Sequence, residues 1–463
     1  MTQPTILFSP RTAAISADGG VLDVLVRVQS PDQPAQDKAT VTPKRLSLVV
    51  DRSGSMDGQP LTEALRCVTH IADCLTPADQ LSVVVYDDKV NVLLPLAPMQ
   101  SPTVVRQLVA NIQSGGSTDL FGGWEAGAEQ LEGGITSTIS RVILLSDGQA
   151  NHGLCEISEI EKRCSAMLAR GVSTTTVGLG RGFNEDLMIA MARAGGGQQY
   201  YGQTADDLFD SFDEEFQLLQ ALCLRSLDLK LIPAPGVIIE TLGLVQQNPD
   251  GSYRLSDLAW AAECWIMLRL HLSPSATGDT RDLLAASLQA TSLEGQAVTA
   301  HAAMLSLPVV DAAAAQALPV DTAVQDRVQE VEFAQASQAL RVLVLKGDAN
   351  GARKLFKDLE ARYAQHPWLQ DKLQRLRELA DRDPEMMSKE VRFSAMRMSS
   401  RLSSKDEARY SADETELVIP AFLRKKSQEG RGRKQQADVG KPTATAASST
   451  STTGTANPPN TQA

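Results

Sequence analysis

The sequence predicts an α/β fold with a doubly wound parallel sheet at its centre. Between residues 44 and 220, short apolar runs rich in β-branched residues alternate with longer segments whose apolar residues recur at spacings of three and four. Such an alternation of strands and helices implies a parallel sheet with helices on both faces, whose strands are almost continuously hydrophobic. A chain of 463 residues is also too long for one hydrophobic core, so further domains are expected.

The apolar runs and the helical spacings give the elements of this sheet. Strands are predicted at 46–50, 81–86, 141–145 and 172–177. The first helix follows from the spacing of Leu61, Leu65, Val68, Ile71 and Leu75. Further helices are predicted at 102–112, 120–131, 156–169, 184–193 and 204–219.

Both flanks of this region are rich in predicted strands. Residues 1–43 contain a strand at 21–29, and residues 221–310 are strand-like, with turns at PAPG and NPDGS. We expect a β-sandwich built from both flanks, with the α/β domain inserted between them. The pattern becomes helical over 321–383, where two or three helices resemble a helical hairpin. From residue 384 to 463 the composition shifts to polar residues, which predicts a disordered tail.

Composition and termini exclude several classes of function. A net charge of −12 argues against a nucleic-acid-binding protein. The first residues lack the basic start and apolar run of a secretory signal, and no stretch is long and apolar enough to span a bilayer, so a cytoplasmic location is expected. The six cysteines form no C-x-x-C pair and are predicted to be buried thiols. The histidines at 70, 271, 301 and 366 show no grouping.

The stretch VVDRSGSM at 49–56 raises the first functional question, because a buried strand runs directly into a charge and two hydroxyls. Asp51 follows the first strand, Ser53 and Ser55 follow it at alternate positions, and Asp147 follows the strand at 141–145. Ligands of parallel α/β sheets bind at the carboxyl ends of the strands. The two carboxylates are therefore predicted to project into one crevice.

A third loop is predicted to join them. The segment SGGSTDLFGG at 114–123 opens a helix, its glycines permit a tight backbone, and Thr118 offers a hydroxyl. Two carboxylates and three hydroxyls form an all-oxygen donor set. Such a set suits a hard cation, Mg²⁺ above all, with Mn²⁺ and Ca²⁺ as alternatives.

These residues resemble a known site. Asp51, Ser53 and Ser55, with Thr118 and Asp147 on later loops, resemble the metal-ion-dependent adhesion site of von Willebrand factor type A domains, in a form similar to the bacterial ones. The resemblance extends over roughly residues 44–219. It implies that the hydroxyls bind the metal, that the aspartates bind it directly or through water, and that an acidic side chain of a partner completes the coordination.

Other readings of these motifs are structural. An aspartate followed by serine after a strand also occurs as a helix N-cap. Asp119 and His152 flank the predicted site and are candidates for partner binding, although a helix cap and a surface loop explain them as well. GLGRG at 178–182 lacks the spacing of a dinucleotide-binding loop, so we interpret it as a turn.

The tail contains one apolar island, at 416–426. Its sequence IPAFLRK resembles the C-terminal peptide of the bacterial tubulin-like division protein, and Ile419, Pro420, Phe422 and Leu423 are its candidate contacts with a second partner. A segment that folds back onto its own domain is the alternative.

The sequence thus predicts a divalent-metal-dependent scaffold for protein–protein interaction rather than an enzyme. An enzyme would need a general base beside the ion, and only Asp119 or His152 is placed for that role. A regulatory subunit of an ATP-driven remodelling complex is the other alternative, because the resembled family serves such machines.

Overall fold

The computed structural model of the protein describes residues 3–32, 43–133, 138–179, 183–202, 204–243, 245–399 and 403–404. In chain order, three N-terminal strands precede an α/β domain, which is followed by a second set of strands and then by a group of helices. The N-terminal strands are β1 (Thr5–Pro10), β2 (Ile15–Ser16) and β3 (Gly20–Gln29).

In its described residues, the α/β domain contains six strands and six α-helices. The elements are β4 (Lys44–Asp51), α1 (Gln59–Asp73), β5 (Gln80–Tyr86), β6 (Val90–Pro98), α2 (Pro102–Val109), α3 (Leu120–Glu129), β7 (Ile139–Ser146), α4 (Ile157–Ala169), β8 (Val172–Leu179), α5 (Glu185–Ala194), β9 (Gly196–Gly202) and α6 (Asp206–Ala221). The strand order is β6-β5-β4-β7-β8-β9, and every neighbouring pair is parallel except β5 and β6. The predicted doubly wound sheet is confirmed.

The central strand β4 is buried along nearly its whole length, because helices cover both faces of the sheet. On one face, α3 approaches β4 closely, and glycines in the helix permit this. A Cβ atom at Gly127 would lie 2.2 Å from Val49 Cγ2, and one at Gly123 would lie 2.3 Å from Tyr86 Cδ1. The glycines therefore fix the depth at which α3, and the loop that enters it, sit against the sheet.

The remaining strands form two sheets that share one core. They are β10 (Leu222–Pro233), β11 (Val237–Leu242), β12 (Gln246–Gln247), β13 (Tyr253–Leu255), β14 (Leu258–Ala259), β15 (Ala262–Leu272), β16 (Thr280–Ser292), β17 (Ala297–His301) and β18 (Leu305–Val310). One sheet runs β1-β3-β15-β11 and the other β12-β13-β10-β16-β18-β2. Because β3 pairs with β15 over ten positions, strands from both sides of the α/β domain complete one sheet.

The helical region holds five helices and a short strand: α7 (Ala312–Gln316), α8 (Thr322–Leu345), α9 (Ala349–Arg362), α10 (Pro367–Arg382), α11 (Pro384–Ser399) and β19 (Ser403–Ser404). The side chains of Asp321 and Asp348 cap α8 and α9. In α11, Met387, Val391 and Ala395 are buried in the core formed by the helices.

The prediction of a disordered tail from residue 384 is wrong for residues 384–399, which form α11. Pro384 occupies the first position of α11, where proline is tolerated, and the Asp383 carboxylate accepts a hydrogen bond from the Met386 N–H at 3.0 Å. Met387, Val391 and Ala395 recur at a spacing of four and are buried on one face of α11. The segment 416–426, with Ile419, Pro420, Phe422 and Leu423, lies outside the described residues and stays a prediction.

Helices α8 and α11 are anchored to the start of α5. The Glu185 carboxylate accepts hydrogen bonds from the Arg341 guanidinium at 3.2 Å and from the Ser388 hydroxyl at 2.8 Å. Arg392 pairs with Asp186, and the Lys389 ammonium lies 4.5 Å from the centre of the Phe183 ring. Burial disfavours the charged form of Glu185, but these hydrogen bonds and the Arg341 charge hold its pKa below the ordinary value.

Glu185→Gln should weaken this contact, because the Arg341 guanidinium loses its charged partner. The expected cost is about 1–3 kcal/mol, or roughly a 5- to 150-fold faster local opening. Hydrogen exchange of the α11 amides measures it, with Glu161→Gln, which removes the exposed partner of Arg193, as the control. Since the pKa of Glu185 is lowered in the folded state, the wild-type contact should hold above pH 4.5 and weaken below it. Equal exchange in both variants would contradict the assignment.

Candidate metal centre

Asp51 forms the floor of the site. It ends β4 and its side chain is 0% exposed. Its Oδ1 accepts a hydrogen bond from the Ser53 N–H at 2.8 Å, and its Oδ2 accepts from the Ser146 hydroxyl at 2.6 Å and from the Tyr86 hydroxyl at 3.2 Å. Burial raises the pKa of Asp51, the hydrogen bonds from Ser146 and Ser53 oppose the rise, and the charge of Asp147 adds to it.

The two serines lie in the turn that leaves the strand. The Oγ atoms of Ser53 and Ser55 are 3.2 Å apart. Ser53 is buried and Ser55 is exposed, so the turn presents one hydroxyl to the interior and one to solvent. Gly58 follows with a positive φ of 79° and lets the chain enter α1.

The third loop is attached to this turn by its backbone. The Gly115 N–H donates to the Arg52 carbonyl at 2.9 Å, and the Gly54 N–H donates to the Gly116 carbonyl at 3.1 Å. Gly116 has a positive φ of 72°, which a residue with a side chain rarely adopts. Two hydrogen bonds between the loops thus fix the segment that carries the buried side chain of Thr118 against the serine turn.

Asp147 enters from the neighbouring strand. In the parallel pair β4 and β7, Val50 lies opposite Leu145. The two strands therefore end at the same edge of the sheet, β4 at Asp51 and β7 at Ser146, which Asp147 follows. Ser146 joins the two loops, because its hydroxyl donates to Asp51 and accepts from the Gly148 N–H at 2.7 Å. The Asp147 carboxylate accepts from the Gln149 N–H at 3.1 Å.

Three residues that support the site were not predicted: Tyr86, Ser146 and Asn151. The Asn151 side chain accepts a hydrogen bond from the Thr118 N–H at 2.8 Å. Ser146 stands directly before Asp147 in the sequence, which was an available signal. The sequence contains no such signal for Tyr86, because the role of Tyr86 depends on its lying opposite Asp51 in the strand pairing.

The donor set fits a hard divalent cation. It consists of three hydroxyls and two carboxylates, all oxygen, and no thiolate or imidazole belongs to it. Adjacent ligands of an octahedral Mg²⁺, each about 2.1 Å from the ion, are about 3.0 Å apart. The 3.2 Å between the two serine hydroxyls agrees with that spacing.

The two flanking candidates lie together beside the Thr118 loop. Asp119 caps α3, where its carboxylate accepts from the Gly122 N–H at 3.0 Å. The His152 Nδ1 lies 3.9 Å from the Asp119 carboxylate, and the His152 side chain is 55% exposed. The helix cap therefore accounts for Asp119 structurally, while His152 faces solvent.

This architecture is that of the doubly wound α/β domains with a polar crevice at the carboxyl ends of their central strands. The chain contains a von Willebrand factor type A domain, whose family model matches residues 46–215. Among solved structures it is similar to a von Willebrand factor type A protein from Catenulispora acidiphila, with a TM-score of 0.65 and 15% identity over 86% of this chain and 97% of that one. It is also similar to the ArnB paralog VWA2 from Sulfolobus acidocaldarius, with a TM-score of 0.56 and 16% identity over 84% and 97%. At this identity the likeness shows the fold.

Curated relatives match by sequence over smaller parts of this chain. An uncharacterized protein of Synechocystis is 26% identical over 257 residues, which are 53% of this chain and 61% of the relative. The human inter-alpha-trypsin inhibitor heavy chain H4 is 25% identical over 172 residues, 35% of this chain and 18% of that protein. This chain thus spans less than two thirds of the length of either relative. Within the described residues, no helix has the length and apolarity to cross a bilayer.

Ser146→Ala should weaken Mg²⁺ binding although Ser146 is not one of the five predicted ligands. The change removes the hydroxyl that orients the Asp51 carboxylate, and loss of such a supporting group typically costs about 10- to 100-fold in metal affinity. Isothermal titration with Mg²⁺ measures it. Ser82→Ala is the matched control, because Ser82 is equally buried in β5 and its Oγ has no hydrogen-bond partner among the residues that the structure describes. Equal affinity of the two variants would show that Ser146 does not position Asp51.

Proposed function

We propose that this protein is a scaffold for protein–protein interaction that binds an acidic side chain of a partner through a divalent cation. Mg²⁺ is the preferred ion, and its ligands are Asp51, Ser53, Ser55, Thr118 and Asp147. The observation that carries the proposal is the meeting of three loops at the buried end of β4. The von Willebrand factor type A domain supports it, because this class of domain serves interaction between proteins.

The charges of the donor set favour binding of a carboxylate. When bound, the cation supplies a positive charge that two carboxylates and three neutral hydroxyls compensate only in part, so an acidic side chain is attracted. Asp51 is oriented from below by Tyr86 and Ser146, and Ser55 lies on the exposed side. We place the partner on that side, with Asp119 and His152 at the rim of its contact surface.

Asp51→Asn should abolish Mg²⁺ binding without destabilising the domain. The amide keeps an acceptor for the Ser53 N–H, and the change removes a buried charge that lies near Asp147. Titration calorimetry and thermal unfolding without metal measure the two effects. Retained Mg²⁺ affinity would overturn the ligand assignment.

Asp79→Ala is a control with the opposite expected result, which is lost stability and unchanged Mg²⁺ binding. Asp79 lies at the end of β4 and β5 that is remote from Asp51. The Asp79 carboxylate is buried, accepts from the Lys44 and Thr76 N–H groups, and lies 3.2 Å from the Lys44 ammonium. Its removal leaves a buried ammonium unpaired and should cost about 3–5 kcal/mol of unfolding free energy. Because Asp79 is remote from the three loops, Mg²⁺ affinity should stay unchanged in the folded fraction.

Capture of partners from native cell extract tests the function itself. Wild-type protein in Mg²⁺ should retain at least one protein that wild type in EDTA and Asp51→Asn in Mg²⁺ both lose, because each removes the cation. Mass spectrometry of the three samples identifies it, and a carboxylate-to-amide scan of that protein should locate the acidic residue. The same proteins in all three samples would contradict metal-dependent recognition.

A further inference from the structure

A histidine, a cysteine and an aspartate meet between α1 and α6, outside the site described above. His70 lies in the last turn of α1, Cys74 is the residue that caps this helix, and Asp213 lies in α6. One ligand atom from each lies within 4.8 Å of the other two. The sequence predicted no grouping of His70 and a buried thiol at Cys74. In the structure both side chains are partly exposed and adjacent.

The distances in this cluster agree with ligands of one tetrahedral ion. The His70 Nε2 lies 3.2 Å from the Asp213 Oδ1 and 3.9 Å from the Cys74 Sγ. Bonds to Zn²⁺ of about 2.1 Å for nitrogen and oxygen and about 2.3 Å for sulfur, at tetrahedral angles, place nitrogen about 3.4 Å from oxygen and about 3.6 Å from sulfur. The observed separations lie within about 0.3 Å of these values.

Packing and helix geometry hold His70 and Cys74 in place. The His70 ring stacks on Phe209 with centroids 4.3 Å apart and planes 20° apart, which fixes the direction of its Nε2. Spacing of four residues puts His70 and Cys74 on one face of the helix end. The Cys74 N–H donates to carbonyls of the last turn of α1, so the cluster also lies at the negative end of a helix dipole, where a cation is favoured.

We propose that His70, Cys74 and Asp213 form a second metal site, for Zn²⁺ or a chemically similar transition-metal ion, that joins α1 to α6. Imidazole, thiolate and carboxylate are the donors that such ions take in proteins, whereas Mg²⁺ prefers oxygen alone. Binding breaks the Cys74 S–H bond, releases its proton to solvent and forms a metal–sulfur bond. Three protein ligands leave one coordination position for water.

The site strengthens a junction between domains. The last helix of the von Willebrand factor type A domain, α6, runs directly into β10 of the sandwich. The Arg66 guanidinium already bridges Glu63 of α1 and Asp206 of α6 at 2.7 and 2.8 Å. A metal ion bound one turn further along α1 adds a second link between the same two helices.

Titration of the full-length protein with Co²⁺ tests the site, because a Co²⁺–thiolate bond gives a charge-transfer absorption band that oxygen ligands do not. All proteins in this experiment also carry Asp51→Asn, so that Co²⁺ bound at the proposed Mg²⁺ site does not contribute to the signal. Whether the proposed Mg²⁺ site exists is measured separately, by the Mg²⁺ titration of Asp51→Asn. We expect the band to saturate at one Co²⁺ per chain, to disappear on addition of Zn²⁺, and to be absent in Cys74→Ser. In His70→Gln and Asp213→Asn the Co²⁺ affinity should fall at least tenfold.

Two controls separate this site from accidental binding. Cys155→Ser removes an exposed thiol elsewhere, and His271→Gln removes a histidine paired with Glu240 at 2.8 Å, a histidine–carboxylate pair without a cysteine. Both should keep the band, and Zn²⁺ should raise the melting temperature of both but not that of Cys74→Ser. Absence of the band in the parent, or its loss in Cys155→Ser, would overturn the proposal and leave the cluster as a hydrogen-bonded pair of His70 and Asp213.

Discussion

The candidate centre depends on one constraint, which is that a carboxylate terminates a central strand that is buried along nearly its whole length. Placing Asp51 at the end of β4 removes its charge from water, and the surrounding groups must compensate. Tyr86 on β5 and Ser146 on β7 do so from the two neighbouring strands, while the Ser53 N–H does so from the turn. The charge is thus compensated only when the three strands are in register, so the pairing of the sheet and the geometry of the crevice are determined together.

The parallel core could be predicted because its physical signals are local. Strands buried on both faces are continuously apolar, and the helices between them bury one stripe, so both patterns are visible in the sequence. The edge strands β6 and β9 were missed, since β6 is half-exposed and contains a proline and β9 is formed by glycines, glutamines and tyrosines. The helix α11 was missed because Pro384 and the polar residues around it indicate a chain break. Among the residues whose burial is described, its apolar face buries Met387, Val391 and Ala395.

The residues of the candidate site likewise divide into those that the sequence predicts and those that it does not. The five predicted ligand residues follow strand ends or glycine loops at recognisable positions, whereas Tyr86 and Asn151 act through contacts between segments distant in sequence. His70 and Asp213 are likewise 143 residues apart, and only the packing of α6 on α1 brings them together. Sequence patterns identify groups that one segment presents. They do not identify groups that become neighbours through the topology of the sheet.

The helical region is connected to the same crevice through two adjacent residues, Asn184 and Glu185. The Asn184 N–H donates to the Asp147 carbonyl at 2.7 Å, and the next residue, Glu185, is held by Arg341 of α8 and Ser388 of α11. A change in the backbone of the Asp147 loop must therefore either stretch this hydrogen bond or displace the residue on which two helices are anchored. The opposite end of the domain is tied to the sandwich through α6 and β10, so the von Willebrand factor type A domain is held on both sides while its loops stay accessible.

The two proposed sites lie at opposite ends of one domain and differ in their donor atoms. We therefore expect them to bind different metals. Zn²⁺ binds most nitrogen, oxygen and sulfur sites more tightly than Mg²⁺ does, so a hard site is protected mainly by lacking the soft donors that raise Zn²⁺ affinity. Hydroxyls at Ser53, Ser55 and Thr118 meet that condition, because a cysteine or histidine at any of them would favour the transition metal. The cluster at Cys74 has the opposite composition and lies on helices rather than on the loops that we propose to receive a partner. If both proposed sites are correct, the domain holds a structural transition-metal ion at one end and, at the other, an exchangeable hard cation that is proposed to bind a carboxylate.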